Sequence, residues 1–422
     1  MRAAPIILAL AVLWACGKGT PTWSKDVHPI VARSCAGCHV EGGIAPFALA
    51  TWNDAYVRRS LIRAQVESRQ MPPWPPAPGC SEYTGDRSLK DQERETLLSW
   101  IDRGAPEGDP SDGQPLSTPP QGGLSRVDRE LRIAAAYQPV LAPDEYRCFL
   151  LDWAETERRF VTGFVAQPGN PTIVHHVLAF LATPDRAAQF QALDDADSAP
   201  GYRCFGGPGG TANLLGGWVP GTVGGDFPAG TGVPVDPGSK IILQVHYNLA
   251  NGVGPSDQTS IRLKLDPSVS RPAFLMPWAN PSWINAGTMD IPAGAADVSH
   301  SFTLTPGPYL GLLSDNLLAP GRFTVYGAAL HQHLRGTRSR LEIQRAGGAR
   351  ECLLDIPRWD FHWQGGYTLK TPKVMERNDS LSIECHWDNS ATNQPDGLPP
   401  RNLNWGEGTG DEMCIGFLYI TQ

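Results

Sequence analysis

The sequence has few charged residues and no apolar run long enough to cross a bilayer as a helix, which takes about 20 residues. Asp, Glu, Lys and Arg make up 18% of the 422 residues, and the formal net charge is −8. An acidic chain repels phosphate, so these numbers disfavour a nucleic-acid partner. Helical periodicity is scarce after Leu124, where short apolar runs alternate with Gly, Pro, Asn and Asp. This pattern predicts a β-rich chain with many tight turns.

The N-terminus has the pattern of an export signal, with Arg2 ahead of a short apolar run that ends at Trp14. The residues from Leu13 to Cys16 resemble a bacterial lipobox, in which the cysteine is acylated and becomes the mature N-terminus. Residues 1–20 are therefore predicted to be a signal peptide, and Cys16 a lipid anchor that provides the only membrane contact. The predicted location is the bacterial cell envelope, at the periplasm or the cell surface. Simple cleavage, which would release a soluble secreted protein, is the alternative.

The rest of the chain divides by composition. Residues 21–109 show helical patterning, for instance from Asp91 to Arg103. Residues 110–135 are rich in Pro and Gly and are predicted to form a linker. The remaining part has strand-length apolar runs, and at about 300 residues it is long for one β-sandwich. We therefore divide it into 136–270 and 271–422.

A CxxCH sequence lies in the helical region. Cys35 and Cys38 have the spacing at which two thiols add to the vinyl groups of a haem, and His39 follows where an axial imidazole is needed. Met71 is the candidate for the other axial ligand, because the prolines after it favour a stiff extended segment; His28 is the second candidate. Residues 21–109 thus resemble a small class I-like cytochrome c domain with covalent haem c. The alternative is a redox or zinc-binding CxxC pair with an unrelated histidine.

Two strand-like runs in the β-rich region carry histidines. Lys240 to Asn248 alternates as a strand with His246 on its polar face. Tyr326 to Leu334 places His331 and His333 two residues apart, on one face of a strand, where two imidazoles can chelate a metal. The alternative in both runs is a polar strand position without a ligand.

Three further residues complete this set of imidazole and thioether donors. His175 and His176 are adjacent, so a shared metal requires a bulge, a bend or a strand end there. Met413 precedes an apolar run, and a methionine in such a place is usually part of a core.

The order of these motifs, HH, HYN, HxHxxG and DEMC, resembles the copper type II monooxygenase family, which includes dopamine β-monooxygenase and peptidylglycine α-hydroxylating monooxygenase. The resemblance runs from about Val140 to Tyr419. It implies two copper sites, held by His175, His176 and His246 (the three-histidine cluster) and by His331, His333 and Met413 (the His–Met cluster). The predicted fold class is therefore multidomain: a small all-α cytochrome c domain followed by two all-β antiparallel sandwich domains of jelly-roll type.

The resemblance also bears on the cysteines. The family pairs the cysteine after the methionine ligand with one shortly upstream, which here implies a Cys385–Cys414 disulfide. Cys148 with Cys204 is a second candidate pair, and Cys80 and Cys352 stay unassigned.

Some positions depart from the peptide-amidating members of the family. Ala329, Ile415 and Phe417 stand where those members hold a peptide carboxylate, and none of the three can bind one. The aromatic run from Trp359 to Gln364 is expected to pack in a core, with a pocket lining as the alternative. The other histidines are expected to have no site role: His28 except as the second axial candidate, and His300, His362 and His386.

The resemblance implies a copper-dependent monooxygenase that hydroxylates a C–H bond of a small organic substrate with dioxygen. Copper at the His–Met cluster would take up dioxygen, and copper at the three-histidine cluster would store the second electron. Electrons are expected to enter from an upstream donor through the fused haem, in place of or beside ascorbate. One alternative is a non-catalytic haem and copper lipoprotein for electron transfer or copper handling. The other is a cytochrome joined to a β-sandwich binding module without copper.

Overall fold

A computed structural model describes residues 19–41, 45–113, 123–219, 222, 224–249, 255–395 and 397–422. The chain divides into two compact units, which we call the helical unit (Met1–Pro73 with Arg87–Pro119) and the β-rich unit (Trp74–Asp86 with Pro120–Gln422). The predicted signal peptide up to Lys18, including Cys16, and part of the predicted linker lie outside the described residues. No helix among the described residues is long and apolar enough to span a membrane.

The helical unit is built from short helices. They are a π-helical turn Trp23–Val27, α1 His28–Ser34, α2 Trp52–Val57, α3 Arg59–Glu67, α4 Asp91–Asp102 and a 3-10 turn Pro110–Asp112. The apolar side of α4 buries Leu97 and Trp100 in a small core with Trp23 and Val27. The Trp100 indole N–H donates to the Pro106 carbonyl at 2.9 Å, which ties the end of α4 to the chain that follows it.

The predicted fold class is wrong. Strands hold 35% of the described residues and helices 18%, and the helical N-terminal region is small, with no clear all-α cytochrome c domain. The Pro-rich segment Trp74–Asp86, predicted as part of that domain, belongs to the β-rich unit. Proline excludes a helix there, and the extended backbone pairs Tyr83 with Leu369. A disulfide from Cys80 to Cys352 fixes the same segment.

The described strands of the β-rich unit are β1 Arg129–Arg132, β2 Asp144–Asp152, β3 Arg159–Gln167, β4 Val174–Ala182, β5 Tyr202–Arg203, β6 Asn213–Trp218, β7 Gly225–Asp226, β8 Thr231–Val235, β9 Lys240–Asn248, β10 Ser260–Asp266, β11 Arg271–Trp278, β12 Val298–Leu304, β13 Phe323–His331, β14 Gly336–Gln344, β15 Arg350–Ile356, β16 Gly366–Met375, β17 Ser380–Trp387 and β18 Ile415–Thr421. Its helices are α5 Ala187–Ala196, α6 Pro281–Ala286 and α7 Leu310–Leu313, with 3-10 turns Gly307–Tyr309 and Ala391–Asn393.

These strands form three sheets. A nine-stranded sheet has the order β1-β10-β3-β8-β11-β18-β13-β16, with β7 beside β3. A five-stranded sheet has the order β5-β2-β9-β4-β6, and a four-stranded sheet the order β12-β17-β14-β15. The nine-stranded sheet crosses residue 270, because β8 and β11 pair in parallel at Arg271 and Pro272. The expected pair of separate antiparallel sandwiches is thus replaced by two halves that share one sheet, and the domain boundary near residue 270 stays a prediction.

Each half has its own core. Val177, Leu243 and Val245 of the five-stranded sheet are buried together with Phe164 and Ile261 of the nine-stranded sheet. A second core joins the four-stranded sheet to β11, β13, β16 and β18. Alternating apolar residues on paired strands account for both cores, since successive side chains point to opposite faces.

Candidate metal centres

Three histidines converge at the start of β4 and the end of β9. The two strands pair antiparallel with His176 opposite His246. The register shifts between Val174 and His176, so His175 is an extra residue on β4. A bulge of this kind turns side chains that would otherwise face opposite sides toward one site. It explains how two consecutive histidines lie beside His246.

The spacing of the three-histidine cluster suits one metal ion. One ring nitrogen from each histidine lies within 4.8 Å of the others. The Nδ1 atoms of His176 and His246 are 3.3 Å apart. Two nitrogens held about 2.0–2.1 Å from one ion at a tetrahedral angle are separated by roughly 3.3 Å. This pair therefore has the separation that a shared ion requires.

A carboxylate and an aromatic ring hold His246 in place. Asp144 Oδ1 accepts hydrogen bonds from His246 Nε2 at 2.9 Å, Asn248 Nδ2 at 3.1 Å and Thr409 Oγ1 at 3.1 Å. With Nε2 donating to Asp144, the lone pair of His246 lies on Nδ1, which faces His176. The Tyr146 ring stacks on His246 with 4.1 Å between centroids and 8° between planes.

The remaining histidine of this cluster has an unpartnered atom. His175 Nδ1 is buried and has no hydrogen-bond partner, which costs about 1–3 kcal/mol unless a ligand binds it. Burial lowers the pKa of His175 to about 3 and holds the pKa of His176 well below its usual range. Burial also lowers the pKa of His246, opposed by Asp144. Neutral imidazoles are the form that binds copper, so these residues fit the ion that the sequence predicted.

The two histidines of the His–Met cluster lie at a strand end. The strand predicted from Tyr326 to Leu334 stops at His331, and His333 lies in the following turn. The backbone N–H of His333 donates to the Glu412 carboxylate at 3.0 Å, and that of Arg335 does so at 2.7 Å. The centroids of the His331 and His333 rings are nevertheless only 5.0 Å apart, with 80° between the ring planes.

Both of these imidazoles are anchored through Nδ1. His331 Nδ1 is hydrogen-bonded to Gln364 Oε1, and His333 Nδ1 donates to the Asp411 carbonyl at 3.1 Å. The lone pair of each ring therefore lies on Nε2. Burial lowers the pKa of His331 and holds the pKa of His333 well below its usual range, so both rings are neutral. They can bind a metal through Nε2.

Met413 is fixed by its neighbours on both sides. The Glu412 carboxylate also accepts the Trp387 indole N–H at 2.9 Å. On the other side Cys414 forms a disulfide with Cys385, and Met413 itself is 7% exposed. Burial raises the pKa of Glu412 to about 7, opposed by the N–H donors around it. The third disulfide of the described residues joins Cys148 to Cys204.

The aromatic run Trp359–Gln364, which we call the aromatic loop, contacts both clusters. Trp359 packs in the core and its indole N–H donates to the His333 carbonyl at 3.1 Å. The Phe361 ring stacks on His175, with centroids 4.8 Å apart, and meets the His333 ring edge-on at 6.1 Å. Core packing therefore describes Trp359 but not Phe361 or Gln364.

Sequence reasoning missed five residues that orient the histidines: Asp144, Tyr146, Gln364, Phe361 and Glu412. Glu412 stands inside the DEMC motif, and Gln364 and Phe361 stand in a noted aromatic run. Asp144 had no local signal, because only strand pairing places it beside His246.

Asp144→Asn is expected to weaken copper binding at the three-histidine cluster by about 10- to 100-fold, because the amide no longer favours the Nε2–H form of His246. Copper binding at the His–Met cluster should weaken less, because Asp144 contacts neither His331 nor His333. Titration of the copper-free protein with Cu(I) against a chelator checks this. Asp152→Asn, at the exposed end of the same strand, is the matched control. Equal affinity in both variants would contradict the orienting role.

The CxxCH residues lie just after α1. Cys35 and Cys38 are free thiols, and the His39 N–H donates to the Cys35 carbonyl at 2.9 Å. His39 Nδ1 is 3.0 Å from the Phe47 carbonyl, so Nε2 keeps its lone pair. Burial raises the pKa of the Cys35 thiol to about 12, opposite to the lowered pKa of a reactive CxxC pair. Met71 follows α3, with its N–H bonded to the Gln65 carbonyl.

The remaining histidines have ordinary surroundings. His28 stacks on Trp23, His300 bonds the Asp290 carbonyl, His362 is exposed, and His386 bonds Glu384.

Comparisons with known proteins cover part of this chain. Residues 315–421 match the family model described as copper type II ascorbate-dependent monooxygenase, C-terminal domain. The chain is 24% identical over 267 residues to DBH-like monooxygenase protein 2 of Mus musculus, which covers 59% of this chain and 38% of that relative. The chain thus spans well under half of the relative's length.

Solved structures of the infectious bursal disease virus VP2 subviral particle and of T=1 particles derived from that virus were also matched. Each has 10% identity and a TM-score of 0.15. The first match covers 71% of this chain and 74% of the viral chain, and the second covers 69% and 68%. A TM-score this low says nothing about the fold of this chain.

Proposed function

We propose that this member of the copper type II ascorbate-dependent monooxygenase family hydroxylates a C–H bond of a small organic substrate with dioxygen. The observation that carries the proposal is the convergence of three neutral imidazoles, those of the half-buried His175 and His176 and the buried His246, with an unpartnered Nδ1 on His175. The nearby His331 and His333 add two lone pairs on Nε2, and Met413 adds a thioether.

Bound copper would supply the one-electron chemistry with dioxygen that no side chain of this protein can supply. His175, His176 and His246 would hold one ion, and His331, His333 and Met413 the other. The overall reaction places one oxygen atom in the C–H bond and releases the other as water, using two electrons and two protons. A thioether ligand favours Cu(I), which suits the His–Met cluster to the site of dioxygen uptake.

The protein's own residues orient the imidazole rings and offer no positive charge to bind a substrate carboxylate. Asp144, Gln364 and the Asp411 carbonyl fix which nitrogen of each ring is free. Ala329, Ile415 and Phe417 offer no cation to a carboxylate, so the proposed substrate is not a peptide with a free C-terminal glycine.

We further propose that a haem is attached to Cys35 and Cys38 with His39 as an axial ligand and Met71 opposite. The free thiols and the His39 Nδ1 contact with Phe47 support this assignment. Such a haem would pass electrons from an upstream donor, and ascorbate or another one-electron reductant would be the alternative source. Cys35→Ala with Cys38→Ala should abolish the haemochrome spectrum that survives denaturation, and Met71→Ala should only shift the visible spectrum. Parent protein without haem would overturn the assignment.

The proposed location is the bacterial cell envelope, with the lipid on Cys16. Three disulfides support an oxidising compartment. Cys16→Ser should release the protein from the membrane fraction.

Copper-dependent oxygen consumption tests the proposed activity. The copper-free protein, reloaded with Cu(I), should bind two ions and consume dioxygen with ascorbate when a panel of small amines, alcohols and aryl-alkyl compounds is supplied. His300→Ala, outside both clusters, should match the parent. Two bound ions without product-coupled oxygen uptake on any compound would favour the electron-transfer or copper-handling alternative.

A further inference from the structure

One short segment of the β-rich unit contacts His333 of the His–Met cluster and the two residues that support His246. This segment, Glu407–Met413, is called the strap. Its Thr409 hydroxyl donates to Asp144 Oδ1 at 3.1 Å, and its first carbonyl accepts the Tyr146 hydroxyl at 2.7 Å. Asp144 and Tyr146 are the residues that bond and stack on His246. One end of the strap therefore touches the supports of the three-histidine cluster.

The other end of the strap holds the His–Met cluster. The Asp411 carbonyl accepts His333 Nδ1 at 3.1 Å, and the Glu412 carboxylate accepts the His333 N–H at 3.0 Å. Met413 is itself a predicted ligand. Only three residues lie between Thr409 and Met413, so a displacement of the backbone at one end of the strap is transmitted to the other end over a short distance.

The aromatic loop forms a second link between the clusters. Phe361 stacks on His175, while Trp359 bonds the His333 carbonyl and Gln364 bonds His331 Nδ1. Gln364 Nε2 also donates to the Phe361 carbonyl at 2.9 Å, which fixes the backbone that carries the ring. Two segments from different parts of the chain thus join the same two clusters.

We propose that the strap and the aromatic loop couple the two clusters, so that copper bound at one raises the affinity for copper at the other. This rests on the proposed two-copper function. An ion that fixes His246 and His175 also restrains Asp144, Tyr146 and Phe361, and through them both links. The second ion then meets ligands that are already ordered, and loses less conformational entropy on binding. The effect is reciprocal, because coupling between two binding free energies is the same in both directions.

Anaerobic titration of the full chain with Cu(I) against a competing colorimetric chelator tests the coupling. The parent should bind the second ion more tightly than independent sites would, by a factor in the range of about 5- to 150-fold that is typical of coupled sites. X-ray absorption during the titration reports the copper–sulfur contact and so follows loading at Met413. Thr409→Val keeps the shape of the side chain and removes only the bond to Asp144. Phe361→Leu keeps apolar bulk and removes the stacking.

Each substitution should lower the coupling factor several-fold, and the double variant should bring it close to one while two ions still bind. Thr303→Val removes a comparable hydroxyl contact, to Ser382 in the four-stranded sheet, and should leave the factor unchanged. Two independent ions in the parent, or full coupling in the double variant, would overturn the coupling and leave the proposed function intact. A parent that binds no copper would overturn both.

Discussion

His333→Ala is expected to reduce bound copper from two ions to one and to lower reductant-dependent dioxygen uptake by more than about 100-fold. Loss of a residue that only orients a metal ligand costs about 10- to 100-fold, and loss of a ligand should cost more. The contacts of the His333 backbone with Glu412 and Trp359 do not require the imidazole, so the turn should keep its conformation. Metal analysis and oxygen-electrode traces on the same preparation measure both effects.

His386→Ala is the matched control, because it also removes a buried imidazole from the same half of the β-rich unit. That ring bonds Glu384 and lies outside both clusters, so the variant should keep two copper ions and parental uptake. If His333→Ala kept the second ion, or if both variants lost activity alike, His333 would not be a ligand.

The sequence was enough to identify the candidate metal ligands, but it did not show how the backbone brings them together. The alternation of apolar and polar residues from Lys240 to Asn248 predicted the bounds of β9, because the pattern begins and ends within the strand itself. It placed His246 on a polar face, yet His246 is 1% exposed. An alternating pattern shows which residues share a face of a strand. It does not show whether the polar face is exposed to solvent or lines a buried site. Here Tyr146 and the bulged start of β4 cover it.

Distant contacts account for the other differences. β13 stops at His331 because Glu412, far along the chain, accepts the next free backbone N–H groups. The Pro-rich segment around Cys80 looked like part of the helical region, but its extended backbone pairs with β16 and its cysteine bonds Cys352. The Phe361 contact with His175 likewise depends on two strands, β15 and β16, that bring the aromatic loop to the cluster.

Glu412 contributes both to the stability of this half of the β-rich unit and to the geometry of the His–Met cluster. Its carboxylate accepts the N–H groups of His333 and Arg335 and the indole N–H of Trp387, and it is fully buried. Glu412→Ala would leave three buried donors without an acceptor, and an unsatisfied buried group costs about 1–3 kcal/mol. We expect the free energy of unfolding of the copper-free protein to fall by about 3–5 kcal/mol.

Glu412→Gln separates the roles of shape and charge. The amide oxygen of the glutamine can accept hydrogen bonds from some of the three N–H donors, while its NH₂ group faces the others. The free energy of unfolding should therefore fall by an intermediate amount, about 1–3 kcal/mol. Denaturant unfolding of both variants, with Glu384→Ala as an exposed glutamate control, measures the difference. The control should change the free energy of unfolding by less than about 0.5 kcal/mol.

The Glu412 carboxylate also fixes His333 and precedes Met413. We therefore expect the Cu(I) affinity of the His–Met cluster to be highest in the parent, lower in Glu412→Gln and lowest in Glu412→Ala. Unchanged stability in Glu412→Ala would mean that water replaces the carboxylate, and the cluster would then owe its geometry to the Cys385–Cys414 disulfide instead.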